Sequence, residues 1–217
     1  MIKRSSLEFT NKLLRENKDW KVLDIGCGYT ANKNATTLCD VIDLQEQYPD
    51  KKFVKLDSKN LPFSDKEFDF VIASHVLEHV KNPEFFIKEL QRISNKGYIE
   101  VPTTLEDNLV FENKKDHLWH INFDDDNKKL NINKKIQIFE PILTVSSSQL
   151  FRNYFRNSLV IELYWEDKID YTFNNENILK PNSISILNLF KKFISKKLRN
   201  LFRWFFKINR FFFKFFN

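Results

Sequence analysis

The chain has 217 residues, 42% hydrophobic and 29% charged, enough for one domain with appendages around an ordinary core. Its formal charge of +6 does not mark a nucleic-acid binder, because ten Lys or Arg and no acid lie from Lys180 onward, leaving 25 basic against 29 acidic residues before it, a net of −4. Two cysteines, Cys27 and Cys39, exclude a disulfide framework, the N-terminal MIKRSSLEFTNKLL lacks the apolar run of a leader, and no stretch of about 18 apolar residues offers a membrane span, so the expectation is a reducing, cytoplasmic setting.

Ser5 and Glu8 have capping-box spacing ahead of Leu13 and Leu14, which predicts an opening helix to about Asn17. Short apolar runs predict buried strands at 20–25 (WKVLDI), 40–44 (DVIDL), 52–56 (KFVKL) and 68–73 (FDFVIA). A helix follows over 83–94, with Pro83 in its first turn and Phe86, Leu90 and Ile93 along one face, and then a strand over 98–101. Beyond Pro102 the pattern changes to a β-hairpin (120–123 and 130–132) and a last strand within 158–165. Alternating strands and helices predict an α/β fold with a mostly parallel, three-layer Rossmann-like sheet and an antiparallel C-terminal portion. The expected organisation is a domain over 1–170, a linker over 171–182 and a C-terminal amphipathic helix over 183–217.

Of only three glycines, where average usage of roughly 7% would give about 15, two sit two residues apart at the end of the first predicted strand, in VLDIGCGYT. Glycine there permits positive φ and lets a ligand reach backbone that a Cβ would shield. Asp24, Asp43 and Asp57 end the first three predicted strands, so they are expected to wall one crevice at the C-terminal edge of the sheet, where open α/β sheets bind ligands. Asp24 suits a cationic amine or sulfonium, Asp43 the hydroxyls of a ribose, Asp57 an adenine amino group. GCGYTA over 26–31 also matches a dinucleotide fingerprint. That alternative needs a helix N-terminus directly after the glycines, and the dozen Asn- and Thr-rich residues before the second strand offer a poor one.

VLDIGCGYT, VIDL and KLDSKNLPFSDKEFDFVIASHVLEHV, in this order and spacing, resemble class I S-adenosylmethionine-dependent methyltransferases, within their type 11-like small-molecule group, over roughly residues 18–102. The resemblance implies S-adenosylmethionine as cofactor, with the methionine end held by Asp24, Gly26, Cys27 and Gly28, the ribose by Asp43 beside Leu44, the adenine by Asp57 and Ser58, and Ser74 as a further cofactor contact. Thr30 stands where many members carry a third glycine.

An oxygen acceptor also wants a base. Asp116 and His117, in KDHLWHINF beyond the fifth strand, are the candidate catalytic pair, against the reading that they belong to a surface loop. His75, Glu78 and His79 would share a helix face at i, i+3 and i+4, and a divalent metal held there with help from His117 or His120 is the alternative reading. The reading adopted here is metal-free, with Glu78 and His79 structural.

In the tail, Lys192, Lys196, Arg199, Arg203, Lys207, Arg210 and Lys214 recur every three or four residues, a cationic stripe about 33 Å long on a helix. Phe190, Ile194, Leu201, Trp204, Phe205, Ile208, Phe211, Phe212 and Phe215 fill the rest. Segregated cations and aromatics are expected of a helix lying in an anionic membrane interface. The sequence-level expectation is therefore a methyltransferase acting on a small-molecule, glycan or lipid-linked acceptor, peripheral on the cytoplasmic face of the membrane. An RNA methyltransferase and a non-catalytic cofactor-binding module are the alternatives. Nucleic acid is the less favoured partner because the tail's aromatics and cations separate onto two faces and do not interleave along one groove.

Overall fold

A computed structural model describes residues 1–57, 60–176 and 184–215, with backbone alone at 202, 203 and 205–215. The elements run β1 (Ile2–Arg4), α1 (Leu7–Glu16), β2 (Val22–Ile25), β3 (Thr37–Asp40), β4 (Lys52–Lys55), β5 (Phe70–Ser74), α2 (Pro83–Ile93), β6 (Lys96–Pro102), α3 (Thr104–Leu109), α4 (Asn113–Asp116), β7 (Trp119–Asp124), β8 (Lys129–Lys134), α5 (Val145–Leu159), β9 (Val160–Glu166), β10 (Tyr171–Asn174) and α6 (Ile186–Phe215). A seven-stranded sheet has the order β1-β9-β6-β5-β2-β3-β4. Its β4-β3-β2-β5-β6 portion is parallel, and β9 and β1 add antiparallel strands at the far side. A smaller sheet, β10-β8-β7, is appended.

Period-two alternation sends successive side chains to opposite faces. Val22, Leu38, Phe70, Ile72 and Tyr98 pack with Leu14 of α1 on one face. Leu23, Ile25, Val71, Ala73 and Ile99 pack on the other with Phe86, Ile87, Leu90 and Ile93 of α2 and with Ile121, Leu130 and Ile132 of the small sheet. Helix starts are capped locally: the Ser6 hydroxyl, one residue beyond the expected Ser5, accepts from the Phe9 N–H at 3.0 Å, and Asn82 accepts from the Phe85 N–H at 3.0 Å.

Three expectations are corrected, and one helix lies outside them. The second expected strand, 40–44, is displaced to Thr37–Asp40. Asp40 Oδ1 accepts the Ile42 N–H at 2.9 Å, and such a side-chain turn ends the strand. The expected helix after Ser74 is a single turn at Leu77–His79. α5, which no expectation covered, opens with a Thr144–Ser147 capping box. The expected linker begins as strand β10, which pairs parallel with β8 and sets Phe173 against Trp119 at 5.0 Å; residues 177–183 lie outside the described residues.

Candidate functional site

Gly26 and Gly28 both adopt left-handed backbone, at φ +64 and +50. A Cβ on Gly26 would stand 2.5 Å from Val76 Cγ2, whereas nothing lies within 4 Å of one on Gly28. Gly26 thus answers a packing need and Gly28 bares backbone toward open space. Two strand-tip carboxylates shape the loop: Asp24 Oδ2 accepts the Asn32 N–H at 2.7 Å and Asp40 Oδ2 accepts the Gly28 N–H at 2.9 Å. Tyr48 braces it, donating to the Gly28 carbonyl at 2.8 Å and accepting from the Ala31 N–H at 3.1 Å. No helix occurs between Gly26 and Thr36, so a pyrophosphate would find no helix N-terminus here, and the dinucleotide alternative is not supported.

A cavity of about 780 Å³ opens on this loop, lined by Asp24, Gly26, Cys27 and Gly28, by Ser74 and His75 at the tip of β5, and by Gln149, Arg152 and Arg156 of α5. Asp24 is buried, and burial first, with Asp40 nearby adding to it against the Asn32 N–H, pushes its carboxyl up to about 7.

The far wall is an ion network. His75 has left-handed backbone, φ +55. Its Nδ1 faces Glu78 Oε1 at 3.2 Å, and its Nε2 lies between Glu100 Oε1 at 3.1 Å and Arg152 Nη1 at 3.0 Å. One nitrogen cannot both donate to Glu100 and accept from Arg152. Burial opposes charge on the ring, yet hydrogen bonds to Glu100 and Glu78 outweigh it and raise the imidazole to about 9, so the protonated ring that donates to both carboxylates prevails. Arg152 pairs with Glu106 at 2.6 Å, and Arg156 pairs with Glu100 at 2.5 Å and Glu162 at 3.0 Å. The Tyr98 hydroxyl sits between Glu100 and Glu162, at 2.6 and 2.7 Å.

Of the expected cofactor residues, Asp24, Gly26, Cys27, Gly28 and Ser74 share this cavity. Asp43 and Leu44 line a separate hollow with Gln45, Glu46 and Gln47. Asp43 lies three residues past the end of β3, exposed, and accepts from the Gln45 N–H at 3.2 Å. Asp57 lies past the end of β4, its side chain 79% exposed and 3.6 Å from Lys55. The single crevice walled by all three acids is therefore corrected to a buried cavity at Asp24 and an open outer edge. Ser58 lies outside the described residues.

Asp116 and His117 do not line the cavity. The Asp116 side chain is exposed, and the buried His117 ring is held by Asp107, Nδ1 to Oδ1 at 2.5 Å, in a cluster that adds His120 and Lys135. Sequence reasoning missed Asp40, masked by a second acid three residues on. It also missed Gln149, Arg152 and Arg156, whose 3, 4 spacing marks one helix face, because α5 exposes Leu150, Phe151, Tyr154 and Phe155 and so lacks the usual buried apolar stripe.

Residues 23–99 match the family model described as a methyltransferase domain. Two uncharacterized proteins of Methanocaldococcus jannaschii are similar, one 37% identical over 109 residues (46% of this chain, 48% of that protein) and one 31% identical over 81 residues (35% and 40%). The chain thus spans about half the length of the curated relatives it matches. A solved SAM-dependent methyltransferase from Aquifex aeolicus overlaps 73% of this chain and 89% of its own, at 11% identity and a TM-score of 0.39. The glycine loop and the strand-tip acids lie inside the segment that matches the methyltransferase-domain model.

Proposed function

We propose that this chain transfers a methyl group from S-adenosylmethionine to a small-molecule, glycan or lipid-linked acceptor, at the cytoplasmic face of an anionic membrane that residues 183–217 contact. One observation carries the cofactor reading: the buried carboxylate of Asp24 and the bare backbone of Gly28 line the same cavity at the strand tips. The donor set fits, because an anion in low dielectric beside an open cavity favours a cation there and disfavours a pyrophosphate. When bound, S-adenosylmethionine supplies an electrophilic methyl group on a positively charged sulfur.

The residues of the chain have the remaining tasks. Asp24, once ionised, balances a positive ligand. Gly26, Cys27 and Gly28 offer backbone along it, Ser74 closes the floor, and Asp43 with Leu44 borders the outer, ribose side. His75, protonated at neutral pH, is an acid and a hydrogen-bond donor, not a base. The wall it forms with Arg152 and Arg156 orients what enters from the acceptor side, and alignment is the larger part of catalysis for an in-line displacement with a neutral leaving group. S-adenosylhomocysteine is expected to raise the melting temperature and NAD to leave it unchanged. The reverse result would remove the cofactor assignment.

The membrane reading rests on α6. Its described side chains are exposed, among them Phe190, Phe193, Leu198, Leu201 and Trp204, and Lys191, Lys192, Lys196, Lys197 and Arg199 lie between them. No helix among the described residues is long and apolar enough to cross a membrane, which leaves an interfacial position for such a helix. Changing Lys191, Lys192, Lys196 and Lys197 to Glu is expected to abolish co-sedimentation with anionic vesicles. Retention equal to the unaltered chain, or a steep salt-dependent preference for RNA over vesicles, would reject it.

A further inference from the structure

We infer that Glu78, His79 and His117 form a site for one divalent transition-metal ion, separate from the cavity and joining the turn after β5 to the segment that leads into β7. One ligand atom from each residue lies within 4.8 Å of the others; ligands about 2.0–2.2 Å from a common ion in a tetrahedral site stand roughly 3.3–3.6 Å apart, so small side-chain rotations would close the three onto one ion. The two rings meet edge to face, centroids 4.4 Å apart.

Three further features point to a ligand. Glu78 is 1% exposed, and while its Oε1 faces His75, its Oε2 is buried without a partner. A lone buried carboxylate oxygen is costly unless something positive reaches it. His79 Nδ1 contacts the backbone carbonyl of Asp116 at 3.0 Å, and His117 Nδ1 contacts Asp107 at 2.5 Å. A carbonyl can only accept, so His79 Nδ1 carries the proton. The Asp107 carboxylate sets the same tautomer on His117. Both Nε2 atoms are thereby left with lone pairs, the arrangement in which carbonyl and carboxylate partners orient metal-ligating histidines.

The two strands of chain are already docked. The Leu118 N–H donates to the Glu78 carbonyl at 2.8 Å, and Trp119 Nε1 donates to the Val80 carbonyl at 2.8 Å, so the two segments that carry the ligands are held side by side. Two imidazoles and one carboxylate suit Zn²⁺ or Co²⁺ better than Mg²⁺ or Ca²⁺. The exposure of His79 leaves room for water in the remaining positions.

This site does not depend on the methyltransferase reading, since none of its three residues lines the cavity. The test is titration of the full chain with Co²⁺ and with Zn²⁺, read by visible absorption, calorimetry and melting temperature. One equivalent is expected to bind and to raise the melting temperature. His79→Gln, at the surface, should weaken binding by about tenfold or more and leave the metal-free melting temperature unchanged. Glu78→Gln and His117→Gln should also weaken it. No uptake of either ion at about 100 μM, or uptake unaffected by His79→Gln, overturns the inference.

Discussion

At Asp24 the edge of the sheet is closed in. The carboxylate is 4% exposed, the adjoining wall holds Glu100 and Glu162 at 5% and 6%, and their charge is met by His75 and Arg156. At Asp43 and Asp57, farther along the same edge, the chain has left its strands and the carboxylates face solvent. The first end is set before any ligand arrives, since its dipoles and charges are fixed by buried partners. The second has little to hold a side chain in place. Charge at the first end is thus fixed by the fold, whereas any contact made by the outer carboxylates is one that water weakens.

The largest expected effect is on stability. Arg156→Met would leave Glu100 and Glu162 short of a cation and should cost about 3 kcal/mol in urea unfolding. Arg4→Met, which breaks an exposed pair with Asp125, should cost under about 1 kcal/mol. Equal losses would erase the distinction between buried and exposed charge.

Binding should show the contrast next. Asp24→Asn is expected to weaken S-adenosylhomocysteine by about 30–100-fold in calorimetry, as for a buried charge-assisted contact. Asp43→Ala should weaken it about tenfold. A reversed order would move the dominant contact to the open edge.

The smallest effect separates the two ends by pH. With the Asp24 carboxyl raised to about 7, a cationic ligand must displace a proton below that value. Affinity should rise up to about tenfold per unit as pH climbs toward 7 and then level off, with proton release visible as a buffer-dependent enthalpy. For the unliganded chain the sign is opposite. The raised pKa stabilises the fold below the group's ordinary value of 3.8 and that contribution disappears as pH rises through about 7. Asp24→Asn should remove both slopes, and a slope that survives in Asp24→Asn would assign the titration to another group.

Much of the architecture is legible in the sequence. Buried strands such as β2 and β5 are continuous apolar runs, and α2 carries a regular stripe from Phe86 to Ile93, because local pattern suffices where an element is buried on its expected face. Asp24 and the two glycines were legible for the same reason: the end of a short apolar run and a rare residue type coincide.

Other features depended on partners distant in sequence. Which of Asp40 and Asp43 ends β3 is decided by pairing with β2 and by the Ile42 turn. α5 has no apolar stripe to announce it, yet it brings Arg152 and Arg156 against Glu106, Glu100 and Glu162, up to 56 residues away. The free faces of His79 and His117 exist only because Asp116 and Asp107 hold the opposite nitrogens. Sequence alone determined most strands of the parallel sheet, the glycine loop and the acid beside it, since each is written in neighbouring residues. Tertiary structure alone decided which acids share a cavity and which charges are satisfied, because burial and pairing are properties of contacts that no local pattern encodes.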